Sequence, residues 1–392
     1  MGLTLDAVQQ EARRLARSQY APVTAQQVEQ WEKGLSLPDL EHLETLAEIY
    51  RCPVGHFFSG FPAGGAGGLA AQFGPLSFRG LAEGKPQGLS PTTRQSLAQF
   101  VELADWFGGA IKESGVAWEV RVRPLQQRPA DIASLAGQQA RRLGFSESVR
   151  QEWHSADDAL EWWRRRIQDL GVFCFQLKLE PKDVRGAALW LDGHVPFILI
   201  NHQDGEAATG RLFTLLHEYC HLLLPHGVPG VACDFRGVSG RGAVEPVANR
   251  FAARVLAPLE LVRRHLREQG LERFKESWSD AELDRLRKPL FVSRDVIAIS
   301  LEELGLAPAG LYRQKQSQWE RRFGGRRAWG RGRNPTKKER KARQLGSSAF
   351  RLLATLDERG MLPRLETAYL LDTRVEKVAE FIQWSRENLL GQ

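Results

Sequence analysis

Apolar residues along this chain recur at two spacings, and the change of spacing marks where helices give way to strands. Leu97, Phe100, Val101, Leu103, Ala104 and Phe107 fall on one face of a 3.6-residue period, as do Ala159, Trp162, Trp163 and Ile167. The period then shortens. Val172 to Leu177, Gly186 to Leu191 and Val195 to Ile200 read as strands, the last two joined as a hairpin through Asp192-Gly193. From Ala207 the helical period returns. It lasts until a basic stretch from Arg321 to Arg343, where Gly324-Gly325 and Gly330-Arg331-Gly332 indicate a loop or linker. A last helical piece covers Ser347 to Leu390, with Leu356, Met361, Ala368, Leu370, Leu371, Val375, Val378, Ala379 and Ile382 as its expected core.

The first sixty residues read as short helices. One runs from Leu5 to Ala16. A second follows Thr24 as N-cap, turns Val28 and Trp31 inward and ends at Gly34. A third runs from Pro38 to Tyr50 with Leu40, Leu43, Leu46 and Ala47 on one face. The Gly/Pro-rich run Phe61 to Gly68 reads as a linker. These patterns divide the chain into a small helical domain over 1–60, a linker over 61–90, a catalytic-sized α+β domain over 91–310, a basic linker over 311–345 and a C-terminal helical region over 346–392. The expected class is α+β and mainly helical, with one small sheet.

Composition narrows this modestly. The chain has 392 residues, 42% of them hydrophobic and 26% charged, as in folded soluble proteins. No apolar run approaches the length of a membrane span, and the start lacks the apolar stretch of a signal peptide. Four scattered cysteines fit a reduced compartment, so a cytoplasmic protein without membrane contact is expected. The net charge of +7 is concentrated between Arg313 and Arg351, where only Glu320 and Glu339 oppose a long series of Arg and Lys. That segment could attract the phosphates of DNA or could be a solvated surface.

The chemistry centres on His217-Glu218-Tyr219-Cys220-His221. Two histidines four apart on a helix share a face and can hold one metal ion, while the glutamate beside the first can take a proton from a water. Phe213, Leu216, Cys220 and Leu224 make the flanks apolar, so this helix is expected to be buried, and buried imidazoles need partners. A second helix from Glu245 to Leu256 has Glu245, Ala248, Asn249, Ala252, Ala253 and Leu256 on roughly one side. Its small residues would allow close approach, and Glu245 would project from its first turn. Two histidines and a carboxylate form a catalytic zinc set, with Zn²⁺ as the expected cofactor.

Three segments in this order resemble the ImmA/IrrE family of metallo-endopeptidases: Pro196-Phe197-Ile198-Leu199-Ile200-Asn201, Phe213-Thr214-Leu215-Leu216-His217-Glu218-Tyr219-Cys220-His221, and Glu245-Pro246-Val247-Ala248-Asn249-Arg250-Phe251-Ala252-Ala253. Ala257 stands where that family usually has Met. The resemblance implies a zincin-like fold, His217, His221 and Glu245 as zinc ligands, and Glu218 as general base. It also implies a substrate bound extended along a strand edge beside the metal, either Leu189 to Leu191 or Ile198 to Ile200 with Asn201. His194, His202, His226 and Arg250 are candidates for steadying an oxyanion.

Val28 to Gly34, Pro38 and Leu43 to Phe58 are similar to the second half of an Xre-type helix-turn-helix domain, and Ser77-Phe78-Arg79 to an element common after it. Residues 1–60 nevertheless carry five basic side chains against eight acidic ones, the wrong balance for a strong DNA binder. The resemblance implies an endopeptidase that cuts one protein partner, such as a helix-turn-helix repressor or an antitoxin, and so changes gene expression. The alternative is a DNA-binding regulator, or a defence or toxin–antitoxin component, that uses the peptidase fold as sensor or scaffold. DNA would then be met by the N-terminal domain or by 313–351.

Overall fold

The computed structural model describes residues 8, 12, 21–50, 76–77, 90–127, 129–180, 184–202, 207–225, 230–231, 244–323 and 335–391. The linker at 61–68, most of the first expected helix, His226 and the glycine-rich centre of the basic stretch lie outside these residues.

The helices start where the chain supplies caps. In α1 (Ala25–Glu32) Thr24 and Gln27 form a reciprocal capping box, and Gly34 ends the turn at φ 69°. Val28 is buried with Leu46 and Ile49 of α2 (Leu40–Tyr50), and Val8, Ala12 and Val23 complete that small cluster. Leu40 is not part of it. At 60% exposure it points to solvent, whereas Leu43 and Leu46 farther along α2 are buried.

Next come α3 (Pro91–Ser114), α4 (Ile132–Arg142), the short α5 (Glu147–Gln151) and α6 (Ala156–Asp169), capped by Ser90, Asp131, Ser146 and Ser155 respectively. Three strands follow: β1 (Phe173–Leu177), β2 (Gly186–Leu191) and β3 (Val195–Asn201). Asp192 and Gly193 both have positive φ, 49° and 71°, within the turn Asp192 to His194 that the pairing of Leu191 with Val195 leaves between β2 and β3. The helical half resumes with α7 (Ala207–Leu223), α8 (Val244–Leu256), α9 (Leu259–Glu268), α10 (Asp280–Arg287) and α11 (Arg294–Glu303). It ends with α12 (Leu311–Phe323), α13 (Lys337–Glu358), α14 (Arg364–Leu370) and α15 (Val378–Ser385). The fold is mainly helical α+β. Among the described residues no helix is long and apolar enough to cross a membrane.

In the sheet β3 is central. It pairs in parallel with β1 and antiparallel with β2. This corrects one expectation: Ile198, Ile200 and Asn201 do not lie on an edge. Their backbone is paired on both sides, and all three side chains are fully buried. Asn201 closes the end of the sheet, accepting from Leu179 N at 3.1 Å and donating to Leu179 O at 3.0 Å. Within this sheet the outer strands are β1 and β2.

Both faces of the sheet are covered. Cys174, Ala188, Ile198 and Ile200 pack beneath α6 and α7, whereas Phe173, Phe175, Ala187, Leu189, Phe197 and Leu199 pack on the other side. There they meet Phe100 and Phe107 of α3, Phe350 and Leu353 of α13, and Phe381 and Ile382 of α15. Phe173 and Phe197 stack at 5.0 Å, and Phe107 closes on Phe173 at 5.1 Å. The C-terminal helices therefore form one wall of the sheet's core. Met361 and Val375, expected in that core, are instead 47% and 37% exposed, and Ala379 is exposed as well.

The basic stretch is also corrected at both ends. Residues 311–323 are helical, and the run Lys337 to Arg343 forms the first turns of α13, capped by a Thr336–Glu339 box. Its cations meet local partners: Lys337 lies 3.1 Å from Asp372, Lys338 2.7 Å from Glu380, and Lys341 donates to Leu370 O at 3.1 Å. Farther along, α13 is broken at Gly346, whose φ of 78° and ψ of 168° suit only glycine.

Candidate metal centre

Helix α7 runs across the inner face of the sheet and is fixed from three directions. Tyr219 donates its hydroxyl to Gln139 Oε1 of α4 at 2.8 Å, Trp190 Nε1 of β2 donates to Leu222 O at 3.3 Å, and Leu125 N donates to Leu223 O at 2.8 Å. Leu212, Leu215, Leu216, Cys220 and Leu222 are at most 1% exposed, so the helix is apolar around most of its circumference. His217 and Glu218 sit within that environment, both fully buried.

Helix α8 packs on α7 and on α4. Ala248, Ala252 and Ala253 are fully buried, and their small side chains permit the close approach. Arg254 fixes the far end of α8. It donates from Nη1 to Ala257 O at 3.0 Å and from Nη2 to Ser300 Oγ at 2.6 Å, and its Nε lies 3.3 Å from Glu303. Because α8 is held this way, Glu245 in its first turn faces the two histidines of α7.

Three donor atoms converge. His217 Nε2 and His221 Nε2 are 3.1 Å apart, Glu245 Oε2 lies 3.2 Å from His217 Nε2, and Glu245 Oε1 lies 3.5 Å from His221 Nε2. Among the described residues this is the one group of His, Cys, Asp or Glu spaced to hold a metal ion. The spacing fits a single centre: tetrahedral bonds of about 2.0–2.1 Å put neighbouring donors about 3.3 Å apart. The donor chemistry, two imidazoles and one carboxylate, also fits a borderline-soft divalent ion. His217 Nδ1, on the other side of its ring, lies 2.9 Å from Asn249 Oδ1.

Glu218 is brought against the start of β2. A Cβ atom built on Gly186 would lie 2.7 Å from Glu218 Oε1 and 2.9 Å from its Cγ. The carboxylate thus occupies space that only a glycine leaves at that strand position, so the residue suggested as general base sits against the outer strand β2.

The oxyanion candidates separate. His194 lies in the hairpin turn, and β2 runs from there to Gly186 over roughly 16 Å at about 3.3 Å per residue, which places His194 far from Glu218. His202 sits at the Gly186 end of the sheet, where its N–H donates to Leu177 O at 2.9 Å; burial pushes its imidazole pKa down, and Arg211 adds to the shift. Arg250 is turned towards Glu303 at 3.5 Å. The sequence puts Asn249 on the Glu245 side of its helix without giving it a role, and does not single out Gly186. Asn249 carried a signal, since it lies four residues after Glu245 and therefore on the same helix face. Gly186 carried none, because its neighbour is distant in sequence.

Of the two cysteines among the described residues, Cys220 lies on the helix of this site and Cys174 on β1, and neither is poised for chemistry. Burial raises the Cys174 thiol to about 12, and burial with the nearby Glu245 and Glu218 carboxylates raises Cys220 as well.

No curated protein and no solved structure matches the chain. Residues 167–302, which contain the sheet, α7, α8 and the whole donor cluster, match the family model Peptidase_M78, the IrrE N-terminal-like domain. That match supports the ImmA/IrrE family and a metallopeptidase domain over this part of the chain.

Proposed function

We propose that the chain is a zinc-dependent endopeptidase that cuts a specific protein partner, a transcriptional repressor, and thereby changes gene expression. The observation that carries this reading is the convergence of His217, His221 and Glu245, with Glu218 next to His217 in the chain and its carboxylate against the start of the outer strand β2. His217 Nε2, His221 Nε2 and a Glu245 oxygen would hold the ion. Zinc, when bound, supplies Lewis acidity towards a water and a scissile carbonyl.

The other steps belong to the chain. Glu218 accepts the proton of the attacking water and delivers it to the leaving amine. Its burial keeps competing water away and strengthens its interaction with charge that develops nearby. Strand β2 is an outer strand of the three-stranded sheet, and an extended peptide adding along it through backbone hydrogen bonds would have to accommodate Gly230–Val231, which packs against β2. Partner choice falls to the N-terminal helices, whose acidic balance suits a protein surface better than a phosphate backbone. Any DNA contact by those helices or by 313–351 would show as salt-dependent binding, and a salt slope near zero would exclude it.

The test compares wild type with Glu218→Gln, both loaded with zinc, in cells that contain the natural partners. New protein N-termini are then mapped by mass spectrometry. The reading expects a short list of termini found with wild type alone, among them one within a repressor. Identical termini in both samples would contradict it.

A further inference from the structure

We propose that Asn249 is a positioning residue for the metal centre: its side-chain oxygen holds the proton of His217 on Nδ1 and so presents the Nε2 lone pair to the ion. This rests on the reading of His217, His221 and Glu245 as ligands.

The geometry defines the role. Neutral imidazole carries one proton and has two places for it, and only the nitrogen without the proton can ligate a metal. His217 is fully buried, so bulk water does not set that choice. Its Nε2 faces the cluster, 3.1 Å from His221 Nε2 and 3.2 Å from Glu245 Oε2, while its Nδ1 faces Asn249 Oδ1 at 2.9 Å. A carbonyl oxygen only accepts. The contact therefore requires the proton on Nδ1 and leaves Nε2 free.

The same helix thus serves the ring from both sides. Glu245 and Asn249 are one turn apart on α8 and project the same way, as His217 and His221 do on α7. Fixing α8 fixes ligand and acceptor together, and the Arg254 contacts with Ala257, Ser300 and Glu303 do this. An amide also differs from a carboxylate here. Glu218 and Glu245 already bring two acidic groups to the site, and Asn249 supplies an acceptor without a third. Partners of this kind set both the orientation and the basicity of a metal-bound histidine.

The experiment measures zinc affinity by competition with a chromophoric chelator, using the full chain and the variants Asn249→Ala, Asn249→Leu and Asn249→Asp. Thermal melts of the zinc-free proteins check folding, and the visible spectrum of the cobalt-loaded proteins reports ligand geometry. The expected result is a 10–100-fold loss of zinc affinity in the Ala and Leu variants, with an altered cobalt spectrum. Asn249→Asp, which keeps an acceptor in place, should bind zinc at least as tightly as wild type. The proposal is overturned if Ala and Leu bind as tightly as wild type, or if Asp loses as much as they do. A wild type that binds no zinc would instead sink the ligand assignment beneath it. A wild type that binds well beside an unaffected Asn249→Ala would sink the positioning role alone.

Discussion

Gly186 and Glu218 touch across the junction of β2 and α7: a Cβ at Gly186 would come within 2.7 Å of Glu218 Oε1 and 2.6 Å of Thr214 Cγ2. Real Cβ atoms do not approach that closely, so any side chain at 186 must displace the carboxylate or the helix. Gly186→Ala is expected to leave zinc stoichiometry unchanged, since the three donors lie elsewhere on α7 and α8. Cleavage should fall by about 100-fold, the effect of moving a reacting group by roughly 1 Å. Metal analysis and a single-turnover cleavage assay on the same preparation check both halves. Full activity in the variant would mean that Glu218 has room it does not show.

Gly346 makes a similar demand in a different place. Its backbone is left-handed, and a Cβ there would meet Gln168 Nε2 at 2.1 Å, Arg164 Nη2 at 2.8 Å and Cys174 O at 2.9 Å. These groups join α13 to α6 and β1, where Ser348 also donates to Val172 O at 2.8 Å. Gly346→Ala should destabilise the protein by about 2–4 kcal/mol, from combined backbone strain and overpacking. Urea unfolding at neutral pH measures this, and an unchanged midpoint would show that the break in α13 carries no load.

The C-terminal helices should be inseparable from the sheet. Phe350 is fully buried and stacks on Phe381 at 5.9 Å above the strands. Phe350→Ala is expected to cost about 3–5 kcal/mol, and a chain ending before α13 should not fold cooperatively. Circular dichroism melts of both proteins decide the matter. A stable truncated chain would show that 337–391 is an independent unit.

How much of this could be read from the sequence depended on whether the relevant neighbours were close along the chain. The four-residue spacing of His217 and His221 and the small residues after Glu245 define two helices and the side of each that carries chemistry. The hairpin at Asp192-Gly193 is equally local. The order of the strands is not. β1, β2 and β3 all read as apolar runs because helices cover both faces, and burial on both faces removes the alternation that would tell an edge from a centre. Ile198 and Ile200 therefore looked as suitable for an edge as Leu189 to Leu191. The basic stretch misled in another way: its glycines suggested a loop, while the cap at Thr336–Glu339 and the acidic partners Asp372, just past α14, and Glu380 on α15 allow a helix from Lys337.

Asp284 gives the structure an acid-sensitive joint. Hydrogen bonds from Arg294 and then Arg287, at 2.8 and 2.5 Å, hold its carboxyl at about 2 against an ordinary 3.8. A carboxyl depressed in the fold contributes stability above its unfolded pKa and loses that contribution as pH falls through its folded one. The contribution should be complete above about pH 4 and fade towards pH 2. Asp284→Asn should be less stable than wild type at pH 6, with the difference shrinking in that window. A stability difference that does not depend on pH would remove Asp284 from the acid response.

The central claim is that His217, His221 and Glu245 hold one metal ion. Its most direct test is the zinc content of the dialysed full-length chain by elemental mass spectrometry, beside Glu245→Ala and Glu218→Gln. One zinc per chain is expected in wild type and in Glu218→Gln, with a clear loss in Glu245→Ala. A wild type without zinc, or a Glu245→Ala variant that keeps it as tightly, would contradict the account.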